Sequence, residues 1–453
     1  MEKTTDIAII GAGLTGLTTA FYLKKQNKNF VVLEEKDRVG GVIHTQHLDG
    51  FTFEEGPNTG VLGSPEAAEL FEDLGDLCTL ETASNNVNKR YILKNGEWTA
   101  MPMGLMDAIK TPLFTTKDKF RILGEPFRKP GTNPEEPLSE LVKRRMGQSF
   151  LDYAIDPFIL GVYSGDPSKL ITKYAFPKLY NLEQNYGSFI GGSVKRMFRK
   201  KDERDKKATR KVFSVKGGLS NLTQAIHKAA GAENFLLNVK GLEINVKNGL
   251  YVITGTLNGE SISVTAKKVI TTTGAYTLDK LLPFADRDLI TRIQKVKYAR
   301  VIQAAIGFKQ WKGMPLDGFG GLVPFIEKRD ILGVLFLSAL LSNRAPEGGA
   351  LLSVFVGGVR REDLLDKTDD EIRQIVEREF KSVMKTQDFN PELFRIIRYQ
   401  HAIPQYSFES KDKLEAIEKL QAAYPGLIIG GNARDGIGMS DRIKQGRQLT
   451  INN

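Results

Sequence analysis

Apolar and polar positions divide the 453 residues into three stretches of different period. The first opens on a short apolar run, Asp6 to Ile10, which predicts a buried strand. It leads through Gly11-Ala12-Gly13-Leu14-Thr15-Gly16 into an apolar-periodic segment that predicts a helix to about Gln26. A second apolar run, Phe30 to Leu33, predicts another buried strand ending at Glu34. The second stretch, 105–204, has apolar residues at helical spacing broken by Pro112, Pro126, Pro130, Pro134 and Pro137, and predicts several short helices. From Val212 the period becomes that of strands. Val212 to Val215 predicts one, and Gly217-Gly218 and a helix to about Ala230 follow. Alternating runs at 235–247, 250–257 and 260–270 are joined by Asn248-Gly249 and Asn258-Gly259, dipeptides that supply the positive φ of tight hairpin turns. Further strands are predicted at 296–310, 319–326, 331–340 and 350–357. Thr368 to Lys385 predicts an amphipathic helix, with Asp369, Asp370 and Glu371 where the helix dipole favours them. Leu427 to Gly430 predicts a last buried strand, followed by Gly431-Asn432 and a helix from about Ser440. No internal repeat is present.

Composition narrows the chemistry. The length suits about three domains or one large multi-lobed enzyme, and 41% hydrophobic residues suffice for a core. One cysteine, Cys78, excludes an intramolecular disulfide, Cys-rich zinc sites and iron–sulfur clusters, and is consistent with a reducing compartment. Four histidines (His44, His47, His227, His401) leave little material for a metal site, and none is expected. No targeting segment is read at the N-terminus and no apolar run of about 18 residues occurs, so no transmembrane helix is expected. The net charge of +10 fits a nucleic acid, an anionic membrane surface or an acidic small molecule. Most of it sits in one run, Lys195 to Lys211, with ten basic and three acidic residues. That run reads either as a solvated loop or as a contact with an anionic membrane, where each basic residue contributes about 1 kcal/mol. It has little aromatic interleaving, which disfavours nucleic acid.

The glycine turn after the first strand carries the first specific signal. Gly11 permits the tight turn, Gly13 lets the backbone approach a pyrophosphate, and Gly16 lets the helix pack on the strand. The helix N-terminus then offers its N–H groups to the phosphate. Glu34, at the end of the second strand, can accept hydrogen bonds from ribose hydroxyls. This is a dinucleotide-binding pattern. The continuation Glu34-Glu35-Lys36-Asp37-Arg38-Val39-Gly40-Gly41-Val42 resembles the extended FAD fingerprint of the amine oxidase superfamily. Four further segments resemble flavin contacts of that superfamily: Gly56-Pro57-Asn58-Thr59, the strand containing Val239, Val269 to Ala275, and Gly430-Gly431-Asn432 with Ile437-Gly438-Met439. Many members carry an acidic residue where Asn432 stands.

Within the superfamily the chain resembles the oxygen-dependent protoporphyrinogen oxidases and their coproporphyrinogen-oxidising relatives. The stretches that carry this are Glu54 to Asn58, Asn88 to Ile92, Asp156 to Pro167, Gly318 to Pro324 with Leu332 to Phe336, Asn343 to Pro346, and Phe355 to Gly358. The resemblance implies a Rossmann-type α/β FAD-binding domain (1–85, 205–280 and 411–453), interleaved with a mixed-sheet substrate domain (86–104 and 281–410) and a helical, membrane-associated lobe (105–204). It implies a substrate pocket with Arg90 facing a propionate, Gly161 and Gly165 at a helix turn, and Leu322, Leu340 and Phe355 around the macrocycle. An apolar macrocycle with carboxylates at its edge suits such a pocket, since a guanidinium can grip a carboxylate with two parallel bonds.

The implied activity is oxidation of protoporphyrinogen IX to protoporphyrin IX in heme biosynthesis, by hydride transfer to flavin N5. The resemblance also implies molecular oxygen as acceptor and a ferrochelatase-type enzyme downstream, and it demands no general base. The alternatives are coproporphyrinogen III as substrate, another flavin oxidase or desaturase of the superfamily, and a non-catalytic tetrapyrrole carrier. The expected location is cytoplasmic, against a membrane surface.

Overall fold

The structure is a computed structural model that describes residues 1–84, 87, 89–198 and 202–451. Asn88 of the arginine-bearing strand, and Arg199, Lys200 and Lys201 of the basic run, lie outside the described residues.

The chain is a mixed α/β protein built on two seven-stranded sheets. In the first, strand Glu2–Ile10 lies between Phe30–Leu33 and Glu260–Thr271, parallel to both. It is buried on both faces because its apolar run has no polar alternation. Ile7 and Ile9 join the core with Leu17, Leu222 and Ile443 from three helices, Leu14–Lys25, Ser220–Ala230 and Met439–Ile451. Ala8 and Ile10 join the opposite core with Ile253, Ile290 and Ile417. Strands Val239–Lys247, Leu250–Leu257 and Glu260–Thr271 form an antiparallel meander, and Asn248 and Asn258 both adopt φ of 52° at its turns.

The second sheet runs, in spatial order, Leu393–Pro404, Tyr298–Phe308, Ala350–Gly357, Gly333–Leu335, Gly318–Leu322, Lys89–Lys94 and Glu97–Ala100. Helix Asp369–Met384 covers one face, burying Ile372, Val376, Phe380 and Val383. Its start is a capping box in which Thr368 and Glu371 satisfy each other's backbone N–H groups.

Short helices fill the region between, including Leu138–Arg145, Asp156–Tyr163, Pro177–Tyr186 and Phe189–Met197. Arg145, at the end of the first of these, is fully buried and paired with Glu125 at 2.9 Å and Glu183 at 2.7 Å.

Several predicted elements differ from those observed. The first strand begins at Glu2 rather than Asp6, because Glu2 to Thr5 pair with Ser263 to Ala266. The run 319–326 is a strand only to Leu322, and Phe325–Glu327 is a single helical turn. The run 331–340 divides into strand Gly333–Leu335 and helix Leu337–Leu340, where the Phe336 N–H turns to the Phe319 carbonyl. The hairpin of His44–Leu48 and Phe51–Glu55, and the strand Leu393–Pro404, were not predicted.

Candidate active site

The two glycine turns at the top of the first sheet lie backbone to backbone. Gly11 has φ of 98°, and a Cβ on Gly16 would stand 2.0 Å from the Gly11 carbonyl oxygen, so helix and strand meet at a distance no side chain permits. The Gly40 N–H donates to the Ala12 carbonyl at 2.8 Å, and a Cβ on Gly41 would stand 3.1 Å from the Gly13 Cα. Arg38 braces this second turn, donating to the Val39 and Ile43 carbonyls. Val42, next in the chain, is exposed. Glu34 is buried at the strand end, accepting from the Ala12 N–H at 2.6 Å and the Lys36 N–H at 2.9 Å. Glu35 is exposed, and its carbonyl accepts from Lys240. Fully buried Val239 donates its N–H to the Glu34 carbonyl.

Two other segments are drawn to these turns. The C-terminal helix packs on the first helix, with Thr19 donating to the Gly446 carbonyl at 3.1 Å. It thereby carries Gly431 to Met439 alongside. The Gly431 N–H is held by Gln445 at 2.7 Å, Asn432 accepts from the Tyr298 hydroxyl, and Ser440 donates to the Val61 carbonyl. Gly438 donates to Asp441, Ile437 packs beside the helical core, and Met439 is buried. The segment after strand Phe51–Glu55 is fixed by the second sheet. Tyr399 accepts from the Gly56 N–H at 2.6 Å and donates to Gln303 at 3.0 Å, while Asn58 accepts from Gln303 and Ser353 at 3.4 and 3.3 Å. Burial pushes the Tyr399 hydroxyl pKa well up, keeping it neutral and able to donate. Pro57 and Thr59 are half-buried in the same segment.

The register of the second sheet places the predicted substrate residues. Leu322 pairs with Gly333, Gly333 with Phe355, and Phe355 with Gln303, in one row across four strands. Val354 and Val356 point into the core under helix Asp369–Met384, so Phe355 points to the opposite face. Leu322 and Phe355 are half-buried and stand two strand spacings apart, about 10 Å. Gly333 between them adds no side chain, which leaves an apolar trough. Ile92 continues the row beside Leu322, and Arg90, two residues earlier on its strand, shares its face. Arg90 is exposed, its guanidinium 5.7 Å from the Phe319 ring centroid, with no carboxylate partner among the described residues.

Helix Asp156–Tyr163 closes over this end. A Cβ on Gly161 would stand 2.3 Å from Leu322 Cδ2, and one on Gly165 would stand 2.6 Å from the Gln405 amide oxygen. Asp156 anchors the helix by pairing with Arg360 and accepting the Phe325 N–H. Leu340 is 1% exposed, and its carbonyl accepts the Ser84 N–H.

Sequence reasoning missed Gln303, Ser353, Tyr399 and Tyr298 as site residues. A signal existed for two of them. Gln303 is the lone amide in the apolar strand Tyr298–Phe308, and Ser353 the lone hydroxyl in Ala350–Gly357. No group of His, Cys, Asp and Glu suited to a metal occurs among the described residues.

Residues 14–448 match the family described as flavin containing amine oxidoreductase. The chain belongs to that family. A plant relative, protoporphyrinogen oxidase 2 of Arabidopsis thaliana, is 30% identical over 97% of this chain and 92% of its own length. The coproporphyrinogen III oxidase of Bacillus subtilis is 28% identical over 97% of this chain and 96% of its own. Among solved structures, one from Exiguobacterium sp. 255-15, provisionally named a protoporphyrinogen oxidase, superposes with a TM-score of 0.81 at 24% identity, covering 99% of this chain and 98% of that one.

The protein is an FAD-dependent oxidoreductase, and its residues fit the cofactor. The first helix opens on Gly13 with no side-chain cap and no acidic residue in its first turn, so its N–H groups are available to a phosphate. In that turn the Thr15 hydroxyl is buried without a partner among the described residues, as expected of a group waiting for a ligand.

Proposed function

We propose that this flavoenzyme oxidises a porphyrinogen to the porphyrin, with protoporphyrinogen IX as substrate and molecular oxygen as acceptor. The observation that carries this is the sheet face joining Leu322, Gly333 and Phe355 to Arg90: an apolar trough with a guanidinium at its edge. FAD, when bound, supplies the hydride acceptor. The chain's own residues do the rest. Arg90 grips a propionate, Leu322 and Phe355 flank the ring, and the Tyr399–Gln303–Ser353–Asn58 network sets the height of the Gly56–Thr59 segment above it. Helix Asp156–Tyr163 keeps water from the far end. Coproporphyrinogen III is a second reading, supported by the likeness to the Bacillus subtilis enzyme.

The division into an FAD lobe (1–85, 205–280, 411–453), a substrate lobe (86–104, 281–410) and a helical lobe (105–204) belongs to the same reading. So does docking of the helical lobe on an anionic membrane, where a ferrochelatase-type enzyme would take the product. Phe127 at 90%, Phe198 at 79% and Met197 at 74% are the most exposed large apolar side chains among the described residues, and all lie in this lobe. Ile190, Val194 and Met197 share one helix face next to Lys195 and Arg196. The later part of the basic run is occupied differently: Arg204 pairs with Glu66 and Glu69, and Lys207 with Glu72. The membrane contact therefore centres on 189–198. No helix of the described residues is long and apolar enough to cross a membrane. Phe127→Ser combined with Phe198→Ser is expected to lower the affinity for anionic vesicles, read by co-sedimentation, by about 100-fold or more, at about 1.5–3 kcal/mol per buried aromatic ring. Unchanged co-sedimentation would remove this lobe from the membrane.

The decisive experiment supplies protoporphyrinogen and coproporphyrinogen separately to the yellow holoenzyme under air and follows porphyrin fluorescence. Turnover of either supports the reading and selects the substrate. Turnover of neither defeats it. Arg90→Ala is expected to raise KM about 10- to 100-fold, the value of a charge-assisted hydrogen-bond pair, with FAD content unchanged. Loss of FAD with KM unchanged would assign Arg90 elsewhere.

A further inference from the structure

Helix Glu409–Ala423 buries Ser410, Lys413, Ala416, Ile417 and Leu420 along one face. Lys413 thus takes a position where the helical period calls for an apolar side chain, and it is only 1% exposed. A buried ammonium is costly unless its charge and donors are used. Its Nζ donates to the Arg434 carbonyl at 3.2 Å and stands 5.2 Å from the ring centroid of Tyr406. Tyr406 in turn donates its hydroxyl to the Gly436 carbonyl at 3.1 Å. Two carbonyls, two residues apart, are therefore held by a linked pair of side chains from outside the turn. Gln445 holds the same turn from the other side, donating to the Gly431 carbonyl and the Asp435 carboxylate.

We propose that Lys413 and Tyr406 are positioning residues for FAD: by holding the Arg434 and Gly436 carbonyls they fix the shape in which the Gly431–Met439 segment meets the cofactor. This rests on that segment as a flavin contact and is independent of which substrate is oxidised. The Lys413 ammonium is faced by Tyr406, by Arg434 and Asp435 of the turn, and by Arg442 of the C-terminal helix. Burial lowers its pKa to about 8, with the Asp435 charge opposing and the Arg434 and Arg442 charges adding to the shift. The grip on the turn is strongest with the ammonium charged, so the affinity for FAD falls as pH rises through about 8.

The test strips the holoenzyme of flavin and titrates it with FAD across this pH range, following flavin fluorescence and visible absorbance with no porphyrinogen present. For the natural protein the FAD dissociation constant is expected to rise about 10-fold across the transition. Lys413→Met is expected to be independent of pH there and fixed at the weaker value. Tyr406→Phe, which removes only the hydroxyl, is expected to weaken FAD binding while keeping the pH dependence. A pH-independent natural protein, or a Lys413→Met variant that binds FAD within about twofold of it with the same pH dependence, overturns the proposal. If Lys413→Met does not fold, the natural pH profile and Tyr406→Phe decide. The proposal can fail while porphyrinogen oxidation stands, and stand where no porphyrinogen is oxidised.

Discussion

Gly16→Ala is expected to yield a folded but colourless protein. The added methyl would lie 2.0 Å from the Gly11 carbonyl and 3.0 Å from the Thr272 hydroxyl, which itself bonds to the Ile10 and Gly11 carbonyls. The first contact is with backbone, so no rotamer change relieves it. The helix Leu14–Lys25 must move away from the strand by an ångström or more. Over-packing of this kind costs about 1–3 kcal/mol of stability, which a protein of this size can absorb. The effect on the cofactor is larger. The N–H groups that would receive the pyrophosphate are aimed by the helix start, and moving them breaks several charge-assisted bonds at once, each worth about 1.5–3 kcal/mol. A loss of about 1000-fold or more in FAD affinity follows. Flavin absorbance of the purified variant, with its circular dichroism as the check on folding, measures both. A yellow Gly16→Ala protein would mean that the phosphate is bound elsewhere.

Arg344→Ala is expected to be the most destabilising of the single substitutions considered. Arg344 is 3% exposed and joins the Phe51–Glu55 strand to strand Val212–Val215, 3.3 Å from Glu54 and 2.7 Å from the Ser214 hydroxyl. Glu54 is buried too, and accepts from Thr45 and from the Leu219 N–H. Removing one partner leaves a buried carboxylate without its cation, at a cost of about 3–5 kcal/mol. The cost depends on pH. Burial pushes the Glu54 pKa up, and its hydrogen bonds and Arg344 bring it part of the way back. Without Arg344 it rises further. A carboxyl whose folded pKa exceeds its unfolded value binds protons more tightly when folded. Its contribution is therefore most favourable below the unfolded value and is lost as pH rises through the folded one. The variant's deficit should thus be largest near neutrality and shrink towards about pH 5. Urea unfolding of both proteins at the two pH values measures it. A deficit that grows on acidification would show that Glu54 is not the group left stranded.

What the sequence disclosed follows the range of the interactions. The first strand, glycine turn, helix and second strand are legible because each boundary is set by neighbours in the chain. So are the Asn-Gly hairpins and the helix capped by Thr368. Strand Leu393–Pro404 was not, since Arg395 and Arg398 fall on opposite faces and, with Gln400 and His401, give it a mixed polarity that resembles a loop. His44–Leu48 is polar except for Leu48 and becomes a strand because Phe51–Glu55 pairs with it. The candidate site divides in the same way. Its glycine turns are local and could be read. The contact of Gln303 with Asn58 spans 245 residues and that of Tyr399 with Gly56 spans 343, and no local pattern announces either.

The docking of the last helix on the first has a consequence for how the protein is made. Thr19 meets Gly446 across 427 residues, and strand Glu2–Ile10 waits for Glu260–Thr271 before its second edge is covered. At ribosomal speeds of about 5–20 residues per second, tens of seconds separate synthesis of the glycine turn from arrival of the segment that faces it. For the first part of that interval, until Glu260–Thr271 has been made, the nascent chain exposes an unpaired apolar strand edge, the kind of surface that invites aggregation. The flavin cradle is complete only once Gly431 to Met439 has joined the glycine turns.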